Sequence, residues 1–259
     1  MMQAAFGTRL RGWRRSRRWS QEELAGRAEV SSRHVSFLET GRSMPSREMV
    51  LKLCRHLEVP LRERNQLLTA AGFAASYRES ALSDDALTPI REALEFLIAQ
   101  HEPYPAVVLD RYWDVRLANR AAMAMTALIA PAALMNPPMN VVRLLFDPKL
   151  GTEDVLVNRE EVQAHMLKRL RDEAEQLDAD KRQRAFHAEM AAFAPGVVEE
   201  ETSHPLLPLH MRVAGFDAKL YTAITTLGTP TDVTLQELRI ETYFPADAAS
   251  AAALRALAV

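Results

Sequence analysis

Apolar positions first recur with a helical period. Phe6, Leu10 and Trp13 stand at i, i+4 and i+7, marking one face of a helix whose other faces carry arginines. Ser20-Gln21-Glu22-Glu23 reads as a capping box: the Ser20 hydroxyl accepts a backbone N–H three residues on while Glu23 reaches back. A second helix therefore starts there, with Leu24, Ala25 and Ala28 inward. Glu29-Val30-Ser31 forms a tight corner, Ser31 or Ser32 caps a third helix carrying Val35 and Leu38, and Gly41 stops it. Ser46 caps a fourth helix with a stripe of Met49, Val50, Leu53, Cys54 and Leu57. After Pro60 a fifth turns Leu61, Leu67 and Leu68 inward and ends at Gly72. Two short helices joined by a three-residue corner, with the small Ala25 at their crossing, let the later one lie in a DNA major groove.

Periodicity lapses over 73–88, where Ser76, Ser80, Ser83 and Asp84-Asp85 read as a linker. A helix with Ile90, Leu94, Leu97 and Ile98 on one stripe opens the second half. Strands at 105–110 and 115–118 make a hairpin, in which Trp113 fixes the turn, and Asn119 caps the helix that follows. Helices are expected at 140–146, 159–176 and 181–193, then strands at 207–213, 219–227 and 235–244 and a closing helix over 246–257. Five antiparallel strands interrupted by helices is a PAS-like order. The expected layout is a DNA-binding domain at 1–72, a linker at 73–88 and a ligand-binding domain at 89–259.

Charge sharpens this division. Through Gly72 there are 14 basic and 7 acidic residues, net +7; the remainder holds 18 against 27, net −9. A basic module is thus joined to an acidic one. Arg9, Arg11, Arg14, Arg15, Arg17 and Arg18, with no acid before Glu22, exceed what solubility needs, and phosphate neutralisation accounts for them. The lone Cys54 leaves no internal disulfide, as in a reducing cytoplasm. The most apolar stretch, 121–134, is broken by Thr126 and Pro131 and falls short of the roughly 18 to 20 residues a membrane span needs; no signal peptide is expected, because arginines interrupt the N-terminus. No metal is expected, since the histidines lack ligand spacing, and with no GxSxG, P-loop or GxGxxG run neither an enzyme nor a cofactor is expected.

The register of Ser20-Gln21-Glu22-Glu23-Leu24-Ala25, Val30-Ser31, Val35-Ser36, Leu38-Glu39, Gly41-Arg42 and Pro45-Ser46 resembles the lambda-repressor-like helix-turn-helix of the XRE family. One departure is Glu29 at the corner usually taken by glycine. Geometry makes Ser32, Arg33 and Ser36 the base-edge candidates, with Arg33 able to take guanine O6 and N7 together; His34 and Phe37 flank them. Thr40, Arg42 and Arg47 are candidates for phosphate, and the resemblance adds Gln21 as a phosphate clamp. It also implies that Arg14 and Glu39 tie the first helix to the third.

The runs PAVVLDRYWDVRLAN (105–119), NVVRLLFDP (140–148) and LGTPTDVTLQELRIETYFPAD (227–247) resemble the MmyB-like transcription-regulator ligand-binding domain. The two resemblances together imply a multidomain bacterial regulator: an all-α five-helix lambda-repressor-like N-terminal domain plus an α+β PAS-like C-terminal domain with a five-stranded antiparallel sheet. They imply a homodimer on double-stranded DNA and a small apolar, fatty-acid-like ligand. Candidate lining residues are Val107, Leu109, Leu117, Met123, Leu128, Met166, Leu220 and Ile224, each of which also reads as plain core. The competing reading is a DNA-binding adaptor whose acidic C-terminal half recruits a protein partner.

Overall fold

The computed structural model describes all residues except 1, 135–136, 177–179, 199–205, 214 and 258–259. The chain forms two compact units, Met1–Ser80 with Thr229–Gln236, and Ala81–Gly228 with Glu237–Val259.

The first unit begins with α1 (Met2–Ser16), α2 (Gln21–Arg27), α3 (Ser32–Thr40), α4 (Arg47–His56) and α5 (Leu61–Ala70). Hydroxyl caps start three of them: Ser20, Ser31 and Ser46 accept the backbone N–H groups of Glu23, His34 and Met49. Glu23 does not complete the expected capping box, and its carboxylate pairs instead with Arg27 one turn on, at 3.3 Å. Gly41 ends α3 with a left-handed φ of 72°. Glu29 adopts φ 50° at the corner between α2 and α3, a conformation that costs a residue with a Cβ about 1 kcal/mol. The apolar stripes converge on Phe6, Leu10, Leu24, Val35, Leu38, Leu53, Leu57 and Leu68, all nearly inaccessible to solvent. Gly7 lets α1 and α3 cross closely, since a Cβ there would stand 2.5 Å from the Glu39 carbonyl oxygen.

The second unit opens with α6 (Thr88–Ala99) and the hairpin β1 (Ala106–Leu109) and β2 (Val115–Ala118). Then follow α7 (Arg120–Ile129), capped by Asn119, the short α8 (Pro131–Leu134) and α9 (Arg143–Phe146), α10 (Arg159–Ala174) and α11 (Lys181–Phe193). Next come β3 (Leu209–Val213) and β4 (Phe216–Thr225). The one-turn α12 (Val233–Glu237) precedes β5 (Arg239–Pro245), and α13 (Ala248–Leu257) closes the chain. The five strands form one antiparallel sheet in the order β2-β1-β5-β4-β3, with β5 central.

Residues 235–238, expected to begin the last strand, lie instead in and just after α12. Asp232 accounts for this, because its Oδ1 accepts the Thr234 N–H at 2.9 Å and starts a helical turn. The core of this unit joins Leu109 and Leu220 of the sheet to Trp113, Phe146, Leu170, Met190 and Leu254.

Candidate nucleic-acid interface and effector cavity

The outer face of α3 is built by what its inner face does. Val35 and Leu38 point into the core and Glu39 is buried, leaving Ser32, Arg33 and Thr40 exposed and His34, Ser36 and Phe37 half-buried. Phe37 lies between two cations: the Arg33 guanidinium is 5.2 Å and that of Arg42 5.9 Å from its ring centroid. Arg42 and Arg47 are exposed, and Arg47 Nη2 donates to Ser76 Oγ at 2.6 Å. Ser32, Arg33, Ser36, Phe37 and Thr40 are thereby gathered on one helix.

Glu39 fixes that helix from behind. Arg14 donates through Nε and Nη2 to its two oxygens at 2.6 and 2.9 Å, and through Nη1 to the Trp19 carbonyl at 2.7 Å. Arg11 Nε adds a bond of 3.3 Å, and Gln21 Nε2 one of 2.9 Å. Burial alone would push the Glu39 carboxyl up; the bonds from Arg14 and Gln21 and the Arg14 charge outweigh it and hold the group below the usual carboxylate range. The bond from Glu39 raises Arg14 in turn, against its own desolvation. Gln21, expected at a phosphate, therefore spends one amide hydrogen on Glu39, and Nε2 carries a second.

In the second unit a cavity of about 170 Å³ is bordered by α10, β4, β5 and residues 206–209. Its wall is apolar at Val141, Leu145, Val162, Met166 and Leu209, and polar at His165, Arg169, Thr222, Glu241 and Tyr243. A smaller space of about 60 Å³ shares Val141, Leu145, Leu209 and Tyr243 with it and continues among Met125, Ile129, Leu156 and Met211. Of the eight lining candidates, Met166 borders the cavity. Val107, Leu109 and Leu220 are buried in the core, Leu128 and Ile224 pack against that core, Leu117 is half-buried on β2, and Met123 is 43% exposed on α7.

None of the polar wall residues is among the eight lining candidates. Burial, first of all, raises Glu241, against Tyr243, Arg169, Arg239 and Thr222, which favour its ionised form. Desolvation likewise lowers Arg169, opposed by Glu173 and reinforced by the neighbouring Arg239. Trp113, at φ 68°, places its indole where the guanidiniums of Arg169 and Arg239 lie 4.5 and 4.6 Å from the ring centroid. Its Nε1 donates to Glu173 Oε2 at 3.1 Å, and Glu173 Oε1 pairs with Arg239 at 2.8 Å. Trp113 therefore borders the cavity as well as shaping the hairpin turn. Two signals were available: Arg169 falls on the Val162–Met166 stripe at i+7, and Glu241 sits mid-strand between Ile240 and Thr242.

Among the described residues no group of three or more His, Cys, Asp or Glu stands close enough to hold a metal ion, and no helix is long and apolar enough to cross a membrane. His204 lies outside the described residues.

Comparison with known proteins bears on both units. The family model described as "MmyB-like transcription regulator ligand binding domain" matches residues 90–257, and one described as "Helix-turn-helix domain" matches residues 5–67. No curated protein matches. Among solved structures, the clp gene regulator ClgR of Corynebacterium glutamicum is 29% identical over 28% of this chain and 90% of its own, with a TM-score of 0.25. A second ClgR structure is 25% identical over 40% of this chain and 96% of its own, again with a TM-score of 0.25. With well over half its length inside the first model and a helix-turn-helix ahead of it, the chain belongs to the MmyB-like family of DNA-binding transcription regulators.

Proposed function

We propose that this regulator reads operator DNA in the cytoplasm as a homodimer and that a small apolar, fatty-acid-like effector in its C-terminal domain biases that binding, with no catalytic step. The functional modules are residues 1–72 and 89–259, joined by 73–88. Supporting the reading above all is the outward row of Ser32, Arg33, Ser36, Phe37 and Thr40 on a helix locked from behind by Arg14 and Glu39. In this reading Ser32, Arg33 and Ser36 take base edges, His34 and Phe37 flank them, and Gln21, Thr40, Arg42 and Arg47 take phosphates. Two half-sites about 34 Å apart follow from a two-fold dimer.

The effector reading is supported by the largely apolar cavity and the smaller space that shares part of its wall, which together suit a molecule with an apolar body and a polar end at Arg169 and Glu241. An engineered apolar cavity of about 150 Å³ is enough to hold a benzene-sized molecule. Footprinting upstream of the protein's own and neighbouring genes tests the first part: a protected, paired site is expected, and uniform affinity for all duplexes at moderate salt overturns it. Native mass spectrometry of the purified protein tests the second, a retained lipid-like mass being expected. A clean unliganded mass favours the protein-recruiting alternative, for which the exposed Ile90, Phe96 and Leu97 of α6 offer a surface.

A further inference from the structure

We propose that the β4–β5 connection, Thr229–Gln236, is a transmission strap through which an occupant of the cavity alters the presentation of α3. The proposal rests on the effector reading above and names the element that carries it. Although this segment lies between two strands of the sheet, it folds as part of the helical unit. There it is fastened at several points. Val233 N donates to the Arg78 carbonyl at 2.8 Å, and Asp232 Oδ2 accepts the Ser80 N–H at 3.2 Å. Val233 itself is buried.

The firmest attachment is Gln236. Its Oε1 accepts the backbone N–H of Leu61 at 2.6 Å. Leu61 is the first residue of α5, and the residue before it is Pro60, which has no side-chain group to cap the helix. A helix start needs acceptors for its first N–H groups, and here one comes from 175 positions further along the chain.

From α5 the ties continue to the recognition helix. Arg9 of α1 donates to Gln66 of α5 at 2.6 Å and pairs with the buried Glu63 at 3.7 Å. Arg14 of α1 holds Glu39 of α3. At the other end the residues straight after Gln236 are fixed in the effector domain. Glu237 pairs with Arg111 at 2.8 Å, Arg239 with Glu173, and Glu241 and Tyr243 form cavity wall. Alternation along β5 sends Arg239, Glu241 and Tyr243 to one face. Only four residues separate Glu241 from Gln236, so the five steps span at most about 16 Å of chain at roughly 3.3 Å per residue. An occupant that shifts Glu241 or Tyr243 therefore acts on a short connection whose far end caps α5.

The test is a double-mutant cycle on the full-length chain. Met166→Trp fills the cavity in place of an effector, and Thr222→Leu serves as an independent filling should the first disturb folding. Each is combined with Gln236→Met, which keeps side-chain length but loses the acceptor. Dissociation constants for the footprinted duplex are read by fluorescence anisotropy. In the native background, filling is expected to shift the constant by about 5-fold or more, the lower range of allosteric couplings; with Gln236→Met the shift should fall below about 2-fold. Equal shifts in both backgrounds overturn the strap and leave effector control standing. No shift from either filling in either background overturns effector control and the strap together. Hydrogen exchange at the Leu61 amide gives a second readout: cavity filling is expected to change its protection in the native chain, and unchanged protection alongside shifted DNA affinity overturns the strap alone.

Discussion

Arg14 and Glu39 in the helical unit meet through two bonds of 2.6 and 2.9 Å, and Arg11, Gln21 and the Trp19 carbonyl complete the set. In the sheet unit Arg169 and Glu241 stand on the wall of a cavity of about 170 Å³. The same two residue types respond in opposite ways. Partners hold Glu39 down and Arg14 up, whereas burial pushes Glu241 up and Arg169 down. A buried ion pair with its bonds complete behaves as a fastening. Buried polar groups short of full compensation keep a capacity for interaction that a ligand can take up.

Removing the fastening should have the largest effect. Glu39→Ala leaves Arg14 buried beside no carboxylate and is expected to cost about 3 to 5 kcal/mol, read by urea unfolding of the helical unit; a loss below about 1 kcal/mol would end the contrast with Glu241. Gly7→Ala comes next, because its Cβ meets the carbonyl of Glu39; overpacking puts the loss toward the upper end of about 1 to 3 kcal/mol. Arg33→Ala should leave stability alone and cost about 1 to 3 kcal/mol of binding on the operator but not on a scrambled duplex. Equal losses on both duplexes would reassign Arg33 to phosphate.

Glu241→Gln should have the smallest effect, within about 1 kcal/mol of native stability, since the amide replaces a carboxyl already biased toward its neutral form. The pH dependence carries the contrast further. The lowered Glu39 contributes stability above the ordinary carboxylate value of about 4.3 and loses it as pH falls through its folded value. The raised Glu241 does the reverse: its contribution is complete below about 4.3 and is lost as pH rises through its folded value. Native stability minus that of Glu39→Gln should thus shrink in acid, while the difference from Glu241→Gln should shrink toward neutral pH. Slopes of the same sign in unfolding titrations would break the comparison.

The helical unit was legible nearly residue by residue, because hydroxyl caps, a glycine stop and a 3.6-residue stripe are local devices that act within one or two turns. Ser20, Ser31, Ser46 and Gly41 all do what their positions indicate. The sheet was legible as strands whose pairing requires distant partners, and its central strand was drawn too early because Asp232 starts a helical turn that carries Leu235, Gln236 and Glu237 out of the run expected as strand. Least legible was the cavity. Whether an inward residue meets another side chain or open space depends on how α10 lies over the sheet, so Leu109 and Leu220 are core while the polar Arg169 and Glu241, outside the lining candidates, form the wall.

The Gln236 cap on α5 bears on how this protein could be rebuilt or could diversify. Grafting a foreign sensor onto residues 1–80 would leave Leu61 N–H without its acceptor unless the graft reproduced the β4–β5 loop at matching length. Heredity faces the same restriction: insertions and deletions between Thr225 and Arg239 should be tolerated poorly, and swapping of heads and tails between relatives should succeed only where this loop travels with its head.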